Sequence, residues 1–431
     1  MLKTLINAFR EKEIRRKMLL TLLMILVFRI GCFIPVPGID SNQFRTIADD
    51  PNHTFFSIMS TITGGSLSNG TLFALGIIPF INAFIIMQLL TLIIPPLERL
   101  SKQGEDGRKK ITQITRYMAI LLAAVQGIGI CLGYGKGMFQ PVFGSSGLTI
   151  ALVIMMMIGG SCLVMWISDR ITEYGVGNGT SLIIFVGILA SAGQRILTAF
   201  RGVGDGNDSA KKVWLILAFF LVVLLVFVFI IFVDLAERRI TIQYAKQVKG
   251  NKMYGGQSTH IPMKVNASGV MPIIFASSFL MFPQMISSFW PDSAFYRWWS
   301  EWLGVGEPIY VALMCLLIVF FSFFYAQIQF NPEDISRNIQ QNGGFIPGIR
   351  PGRPTTMYLQ RINNRITLFG AIFLAVVALI PSVVLPIISK ENGLGNAFSA
   401  TGLLIVVSVA MEFDTQLQNQ LMMKHYKGFL K

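Results

Sequence analysis

The sequence predicts an all-α polytopic membrane protein with ten transmembrane helices in two inverted halves of five. Apolar residues make up 53% of the 431 residues and charged residues only 13%, whereas about a quarter of a soluble domain is charged. The mean hydropathy is +0.60. Ten segments are apolar over the roughly 20 residues that a helix needs to cross the hydrocarbon core. Because five is odd, two groups of five spans enter the membrane from opposite faces, which predicts an inverted repeat.

The predicted spans divide at a polar loop. The N-terminal half covers residues 18–200, the C-terminal half covers residues 213–413, and an external hinge loop over residues 201–212 joins them. Spans five and ten are the weakest, because Arg195 interrupts the fifth and the tenth is short and contains Ser, Thr and Gly. Such helices are expected to face protein or water more than lipid. The spans are predicted over residues 18–36, 71–95, 117–133, 148–168, 179–200, 213–233, 266–289, 308–328, 366–388 and 397–413.

The positive charge is unevenly distributed, which predicts the orientation. Most of the 36 Lys and Arg residues fall in the segments that share a side with the two termini. Basic residues are retained on the cytoplasmic side, so both termini are predicted to be cytoplasmic. Residues 1–17 have apolar side chains at helical spacing among basic ones, which predicts an amphipathic helix at the membrane surface. Residues 414–431 are predicted to form a cytoplasmic tail.

Two long polar loops, over residues 234–265 and 329–365, are predicted on the cytoplasmic side. A membrane span does not require such loops, and long loops on apolar proteins tend to carry function. Arg350 lies in PGIRPG, whose Pro and Gly residues favour a stiff turn, so we expect it to dock onto an acidic partner. Ordinary positive-inside charge remains an alternative for most of the lysines. The other docking candidates are Arg238, Arg239, Lys246, Lys249 and Lys252.

Residues 53–70 are too short to span the membrane and too apolar for an ordinary loop. They begin with an apolar helical stretch and continue into Gly, Ser and Asn, which predicts a re-entrant segment on the outer side, enclosed by protein. A helix lying on the outer surface is the alternative. Ile77, Ile81 and Ile85 then form a stripe on one helix face, which suits either packing or a pore lining.

The spans lack the groups that several classes of protein need. Apart from Arg29, no charge lies near a span centre, whereas ion-coupled transporters place carboxylates, His or Lys there. An inverted-repeat transporter shares the span count and remains an alternative, and a membrane-embedded hydrolase would need a nucleophile or carboxylate pair that we do not find. The four Cys and three His residues are scattered, so neither a disulfide framework nor a metal cluster is indicated. We expect neither enzyme activity nor a cofactor.

Five segments, in order along the chain, resemble the SecY family. They are GEDGRKKITQITRY (residues 104–117), ITEYGVGNGTSLIIF (171–185), QSTHIPMKVN (257–266), NPEDISRNIQQNGGFIPGIRPG (331–352) and GLLIVVSVAMEF (402–413). The resemblance implies an hourglass channel in the bacterial plasma membrane. Such a channel passes unfolded secretory polypeptides and releases membrane segments into lipid through a lateral gate. The implied partners are the SecE and SecG subunits, the SecA ATPase, the ribosome, signal peptides and the lipid bilayer.

The resemblance also implies an apolar ring that seals the pore. Thr180 departs from the usual aliphatic residue, so either the seal is weaker at that position or Ile188 faces the pore instead. An apolar constriction blocks ions by dewetting and still yields to a polypeptide, which agrees with the scarcity of charge in the spans. By position, the ring consists of Ile77, Ile81, Thr180, Ile184, Ile274 and Ile405.

A plug and a lateral gate complete the implied site. The plug corresponds to residues 54–65, and its candidate residues are Thr54, Phe55, Phe56, Ile58, Met59, Ile62, Gly64 and Gly65. The gate is expected between spans two and three on one side and spans seven and eight on the other. Its polar candidates are Asn82, Gln88 and Asn266, for which ordinary helix–helix hydrogen bonding is an alternative role.

Overall fold

The computed structural model is mostly helical. It describes residues 2–48, 59–134, 139, 146–201, 209–244, 247–249, 252–254, 258–266, 269, 271–288, 293–304, 307–389 and 400–428. The helices are α1 (Leu2–Arg10), α2 (Lys12–Gly31), α3 (Ser41–Ala48), α4 (Ile78–Ile93), α5 (Pro95–Ser101), α6 (Glu105–Tyr134), α7 (Ser146–Tyr174), α8 (Gly179–Arg201), α9 (Ser209–Asp234), α10 (Met271–Ser288), α11 (Ala294–Trp302), α12 (Pro308–Gln329), α13 (Pro332–Gln341), α14 (Arg353–Ser389) and α15 (Ala400–Gly428). The strands are β1 (Glu237–Tyr244), β2 (Gln247–Lys249), β3 (Lys252–Tyr254), β4 (Ser258–Lys264) and β5 (Gly344–Phe345).

The structure confirms a polytopic α-helical membrane protein. Among the described residues, six helices are long and apolar enough to cross a membrane, or seven if α4 and α5, which meet at a bend of 106°, count as one span. The helix α10 is apolar but shorter. Each of the ten predicted segments overlaps one of α2, α4, α6, α7, α8, α9, α10, α12, α14 and α15. The count of ten spans stays a prediction.

Two predicted boundaries differ from the structure at the N-terminal side. The surface helix expected over residues 1–17 is interrupted at Glu11, whose extended backbone precedes α2, so that α2 begins at Lys12 and ends at Gly31. Span two was expected from residue 71, but its helix begins only at Ile78. The preceding Gly76 has a φ of 56°, a conformation that glycine adopts without steric cost and that stops a helix. Pro79 then occupies the first helical turn, where its missing N–H costs nothing.

The two halves repeat one packing scheme. In the N-terminal half α4 packs against α6, α6 against α7, α7 against α8, and α2 against both α7 and α8. In the C-terminal half α10 packs against α12, α12 against α14, α14 against α15, and α9 against both α14 and α15. Corresponding spans therefore have corresponding neighbours, as expected for two repeats of five helices. The fifth and tenth spans, α8 and α15, pack against each other and join the halves.

The two basic loops contain β-structure that the prediction of polar loops does not include. β1 pairs antiparallel with β4 of its own loop and with β5 of the second loop, in the order β4–β1–β5. Ile240 and Ile242 lie on the same face of β1, because side chains two residues apart in a strand share a face. There they belong to one apolar cluster with Met263, Ile339 and Leu359. We call β1–β5 together with α13 the sheet unit, in which β4, β1 and β5 join the two loops in one sheet and β2–β3 is a separate hairpin.

Candidate pore, gate and docking surface

One large apolar cluster lies between the two halves and contains most of the predicted ring. Isoleucines enter it from α4 and α8 of the N-terminal half and from α10 and α15 of the C-terminal half. All of them are 8% exposed or less. Helices of both halves therefore meet at one aliphatic layer. Its isoleucines at or near the predicted ring are Ile77, Ile81, Ile184, Ile188, Ile274 and Ile405.

Thr180 is placed differently from the isoleucines. It lies in the first turn of α8, and its hydroxyl is 2.9 Å from Ser168 Oγ on α7. Its backbone N–H donates to Asn178 Oδ1 at 3.0 Å. Ile188, about two turns further along α8, is only 1% exposed and lies in the same cluster as Ile184. The geometry favours Ile188 over Thr180 as the residue that lines the constriction.

The described part of the predicted plug packs against α8. Four candidates, Thr54, Phe55, Phe56 and Ile58, lie outside the described residues. The described part of the plug begins at Met59, in a helical turn over residues 59–62. Ser191 Oγ donates to the backbone oxygen of Thr61 at 2.9 Å. A Cβ atom on Gly187 would lie 2.5 Å from the backbone oxygen of Ile62, so only glycine permits this approach.

Two arginines contact the same segment from different helices. Arg195 on α8 donates from Nη2 to Thr61 Oγ1 at 3.1 Å. Arg29 on α2 lies beside Gly64, where a Cβ atom would be 2.7 Å from the guanidinium Nη1. Gly64 and Gly65 have φ values of 69° and 84°, a region that suits glycine. The non-helical backbone after residue 62 is thus enclosed by protein, which favours the re-entrant segment over a helix on the outer surface.

A hydrogen bond connects the two halves at the predicted gate. The Tyr325 hydroxyl on α12 donates to Gln88 Oε1 on α4 at 2.9 Å. The helix α10 packs against both α6 and α12, so spans two, three, seven and eight are neighbours here. Asn82 also lies on α4, and its Oδ1 is buried with no hydrogen-bond partner among the described residues. Such an atom costs free energy until a polar group reaches it.

Asn266 differs from Asn82 and Gln88 in its hydrogen-bond partners. Its side-chain nitrogen donates to Asp234 Oδ1, at the end of α9, at 2.8 Å. The second carboxylate oxygen of Asp234 accepts from Ser408 Oγ on α15 at 3.2 Å. Asn266 therefore ties the end of the first basic loop to α9 and, through Asp234, to α15. Within the described part of the chain, this side chain hydrogen-bonds to Asp234 and not to spans two or three, so its gate role stays a prediction.

The basic candidates for docking fall into two groups on the sheet unit. Arg238 and Arg239 are exposed on β1, although Arg239 Nε donates to Glu237 Oε1 at 2.7 Å and so has a partner charge. The backbone register of the hairpin β2–β3 places Lys249 opposite Lys252. Lys246 lies outside the described residues. The hairpin thus has two lysines at directly opposite positions. Like charges at such positions repel each other, which favours binding of an acidic partner.

Arg350 lies in a turn that hydrogen bonds hold in place, as its prolines and glycines predict. Its side chain is exposed, while its backbone oxygen accepts from Thr355 Oγ1 at 2.9 Å. Ser336 Oγ on α13 donates to the backbone oxygen of Gly352 at 3.1 Å, and Ile346 is buried in the core of the sheet unit. The turn is therefore fastened on both sides of Arg350. A fixed backbone with an exposed guanidinium suits recognition of carboxylate or phosphate.

The similarity to known proteins agrees with this arrangement. The chain matches the SecY family over residues 71–413. It belongs to the SecY family. The protein translocase subunit SecY of Streptomyces galbus is 40% identical over 446 residues and covers 100% of both chains. The protein of the same name from Halalkalibacterium halodurans is 41% identical over 436 residues, again over 100% of both chains.

Solved structures of more distant proteins share the fold. A structure described as a protein-conducting channel gives a TM-score of 0.69 at 20% identity. A SecY structure whose plug domain is said to stabilise the closed state and maintain a membrane seal gives 0.63 at 19%. Canine Sec61 in a ribosome–channel complex from the endoplasmic reticulum gives 0.65 at 19%. Each likeness covers 94% of this chain and 91% of the other. As a SecY family member, the chain is a multi-pass channel subunit and not an enzyme.

Several residues of the site were missed by the sequence analysis. Tyr325 and Ser408 lie inside apolar segments, and Asp234 lies at the end of one. A polar group within or next to a span was the sequence feature that could have identified them as site residues. Gly187 and Ser191 contact the plug, but Gly and Ser are also common wherever membrane helices pack closely. Their partners are distant in the chain, and periodicity within one helix does not identify them.

Proposed function

We propose that the chain forms the central pore of a protein-conducting channel in the bacterial plasma membrane. The pore passes unfolded secretory polypeptides and releases membrane segments sideways into lipid. The observation that carries this proposal is the buried isoleucine layer built by α4, α8, α10 and α15, with the plug segment packed on α8. An aliphatic constriction excludes ions by dewetting, and it offers no charge that would bind a passing chain. We assign Ile188, rather than Thr180, to the ring.

The plug keeps the resting channel sealed in this proposal. Arg195 and Ser191 of α8 hold Thr61, and Gly187 lets the plug backbone lie directly on the helix. Arg29 of α2 flanks the plug at Gly64. The plug is thus held by the first and fifth spans of one half. A polypeptide that enters the pore must break these few polar contacts, each worth about 1 kcal/mol, to displace it.

The lateral gate lies at the seam between α4 and α6 of one half and α10 and α12 of the other. The hydrogen bond between Gln88 and Tyr325 holds this seam closed. When the seam opens, an apolar signal helix can leave the pore, because its transfer out of water is favourable by about 25 cal/mol per Å². The Oδ1 of Asn82, which is buried and has no hydrogen-bond partner among the described residues, supplies a polar contact for a chain that enters the seam.

The sheet unit is the docking surface for the source of energy. The residues of the central cluster that the structure describes are apolar and offer no group that could couple movement to an ion gradient, so we expect the energy to come from a partner, either the SecA ATPase or a translating ribosome. Arg350 at the fastened turn and the basic positions of β1 and β2–β3 meet that partner on the cytoplasmic side, where both termini also lie. The SecE and SecG subunits are the companions that we expect to complete the complex in the membrane.

Reconstitution tests the function directly. The chain is placed in vesicles with SecE and SecG, and a secretory precursor is added with SecA and ATP. We expect the precursor to become protected from added protease, and a ring variant such as Ile274→Asp to make the resting vesicles leaky to ions. Small-solute uptake without precursor protection, with all partners present, would instead favour a secondary transporter.

A further inference from the structure

The short helix α11 joins α10 and α12, the two C-terminal helices of the gate seam. Its start is defined by Ser293, whose Oγ accepts from the backbone N–H of Tyr296 at 3.1 Å. Its end is closed by the backbone N–H of Leu303, which donates to the oxygen of Trp299 at 2.8 Å. The strand β4 precedes α10, and α11 follows it, so α11 lies at the opposite end of α10 from the sheet unit.

One face of α11 carries large aromatic side chains that the chain itself does not cover. Phe295, Trp298 and Trp302 are 45%, 51% and 50% exposed. Their spacing of three and four residues places them on one side of the helix, because an α-helix has 3.6 residues per turn. Arg297 and Glu301 are exposed on the other side. The helix is amphipathic, and about half of the surface of these three aromatic side chains is left uncovered by the described residues.

The position of α11 places this face beside lipid. The helix packs against α10, and only five residues separate α11 from each flanking span, a reach of about 17 Å even when fully extended. The flanking helices α10 and α12 also expose large apolar side chains, as apolar helices that border lipid do. The exposed side chains of those two helices include Phe279, Phe282, Ile286, Ile309, Leu316 and Phe320.

The chemistry of the face fits the interface and not the hydrocarbon core. Indole rings combine an apolar body with a polar N–H, and they concentrate at the level of the lipid headgroups. Amphipathic helices with Trp and Phe on one side and charges on the other lie flat in this region. Trp299, at the edge of the aromatic face, is 8% exposed, so the same helix has one buried tryptophan and two exposed ones.

We propose that α11 is an interfacial helix whose Phe295, Trp298 and Trp302 insert among the lipid headgroups, in the leaflet opposite the sheet unit. The helix anchors the ends of α10 and α12 to the bilayer. A movement of either helix therefore requires the aromatic rings of α11 to shift within the headgroup region. Its partner is the lipid surface itself. The anchoring does not depend on the proposed function, whereas an effect on the gate would.

Fluorescence quenching by labelled lipids tests the anchoring. The full chain is reconstituted in phosphatidylcholine and phosphatidylglycerol vesicles that contain lipids brominated either near the headgroup or near the end of the acyl chain. The double variant Trp298→Phe, Trp302→Phe keeps the apolar face and should lose a large part of the quenching by the shallow label. The matched control Trp299→Phe should retain that part, because the indole that it removes is buried.

Two outcomes would overturn the proposal. If the double variant loses quenching by iodide added to the water, and its quenching by shallow bromine stays that of the parent chain, the face lies in water. If neither quencher distinguishes the double variant from the parent, protein covers the face, and in these vesicles that protein is the chain itself or a second copy of it. Both results can appear while precursor translocation is normal, so they separate a failure of the anchor from a failure of the proposed function.

Discussion

Removal of a single hydroxyl should loosen the closed gate. In Tyr325→Phe the ring stays and keeps its edge contact with Phe275, whose centroid is 5.1 Å away. Only the 2.9 Å hydrogen bond to Gln88 is lost. Because this bond joins α12 of one half to α4 of the other, its loss destabilises the closed seam and leaves the packing within each half unchanged.

The expected size follows from hydrogen bonds between membrane helices. Such bonds contribute on average about 0.6 kcal/mol and at most about 1.7 kcal/mol. The closed-to-open equilibrium should therefore shift by about 3-fold and by no more than about 20-fold. Gln88 is only partly buried, so water can reach its freed oxygen and the lower value is the better expectation.

Two measurements would reveal the shift. Ion conductance of the reconstituted resting channel should rise, and a precursor with a weakened signal sequence should cross more often, because less work is needed to open the seam. Tyr310→Phe changes a tyrosine on the same helix and serves as the control. A double-mutant cycle with Gln88→Leu should return a coupling energy of the size above. Coupling near zero in a stable protein would refute the role of this bond.

Three further predictions concern docking, ring and plug. Arg350→Glu should lower precursor translocation by about 30-fold, the effect of losing an arginine hot spot of about 2 kcal/mol, at unchanged abundance in the membrane. Arg361→Glu, an equal charge change at an exposed site outside the turn, should have little effect, and equal losses would mean that only loop charge matters. Ile188→Ser should raise resting ion conductance, whereas Thr180→Val should not, and the reverse order would assign the pore to Thr180. Gly187→Val should also raise conductance, because a Cβ atom there would lie 2.5 Å from the plug backbone, and a sealed, stable variant would contradict that packing.

Hydropathy and periodicity predict where the helices lie and which faces are apolar. Ile77, Ile81 and Ile85 all belong to the central cluster, because residues four apart lie on one face of a helix. The Arg350 turn was also predictable, since Pro and Gly determine local backbone conformation with little help from the rest of the fold. β1 could have been predicted as well. Ile240 and Ile242 alternate with polar residues, a period of two that the description of a polar loop overlooks.

Partners across the fold could not be predicted in this way. Tyr325 and Gln88 are separated by 237 residues, and their contact depends on how α12 lies against α4. Asn266 was expected at the gate because it is the first residue of predicted span seven, but its hydrogen bond goes to Asp234. A helical period specifies a face and not the neighbour on that face. For the ring position at Thr180, the resemblance left Thr180 and Ile188 open, and the bond of Thr180 to Ser168 favours Ile188.

The contacts of Asp234 explain how a partner on the sheet unit could act on the ring. Asp234 and Asn266 flank the first basic loop, and their 2.8 Å hydrogen bond closes its base. Asn266 lies five residues before α10, which carries Ile274, while Asp234 also bonds Ser408 on α15, one turn from Ile405. We therefore expect a rigid displacement of the sheet unit to act on the start of α10 and, at Ser408, on α15 within one turn of Ile405. Because buried polar clusters have few alternative arrangements, such a displacement is transmitted to the helices and is not absorbed in the loop.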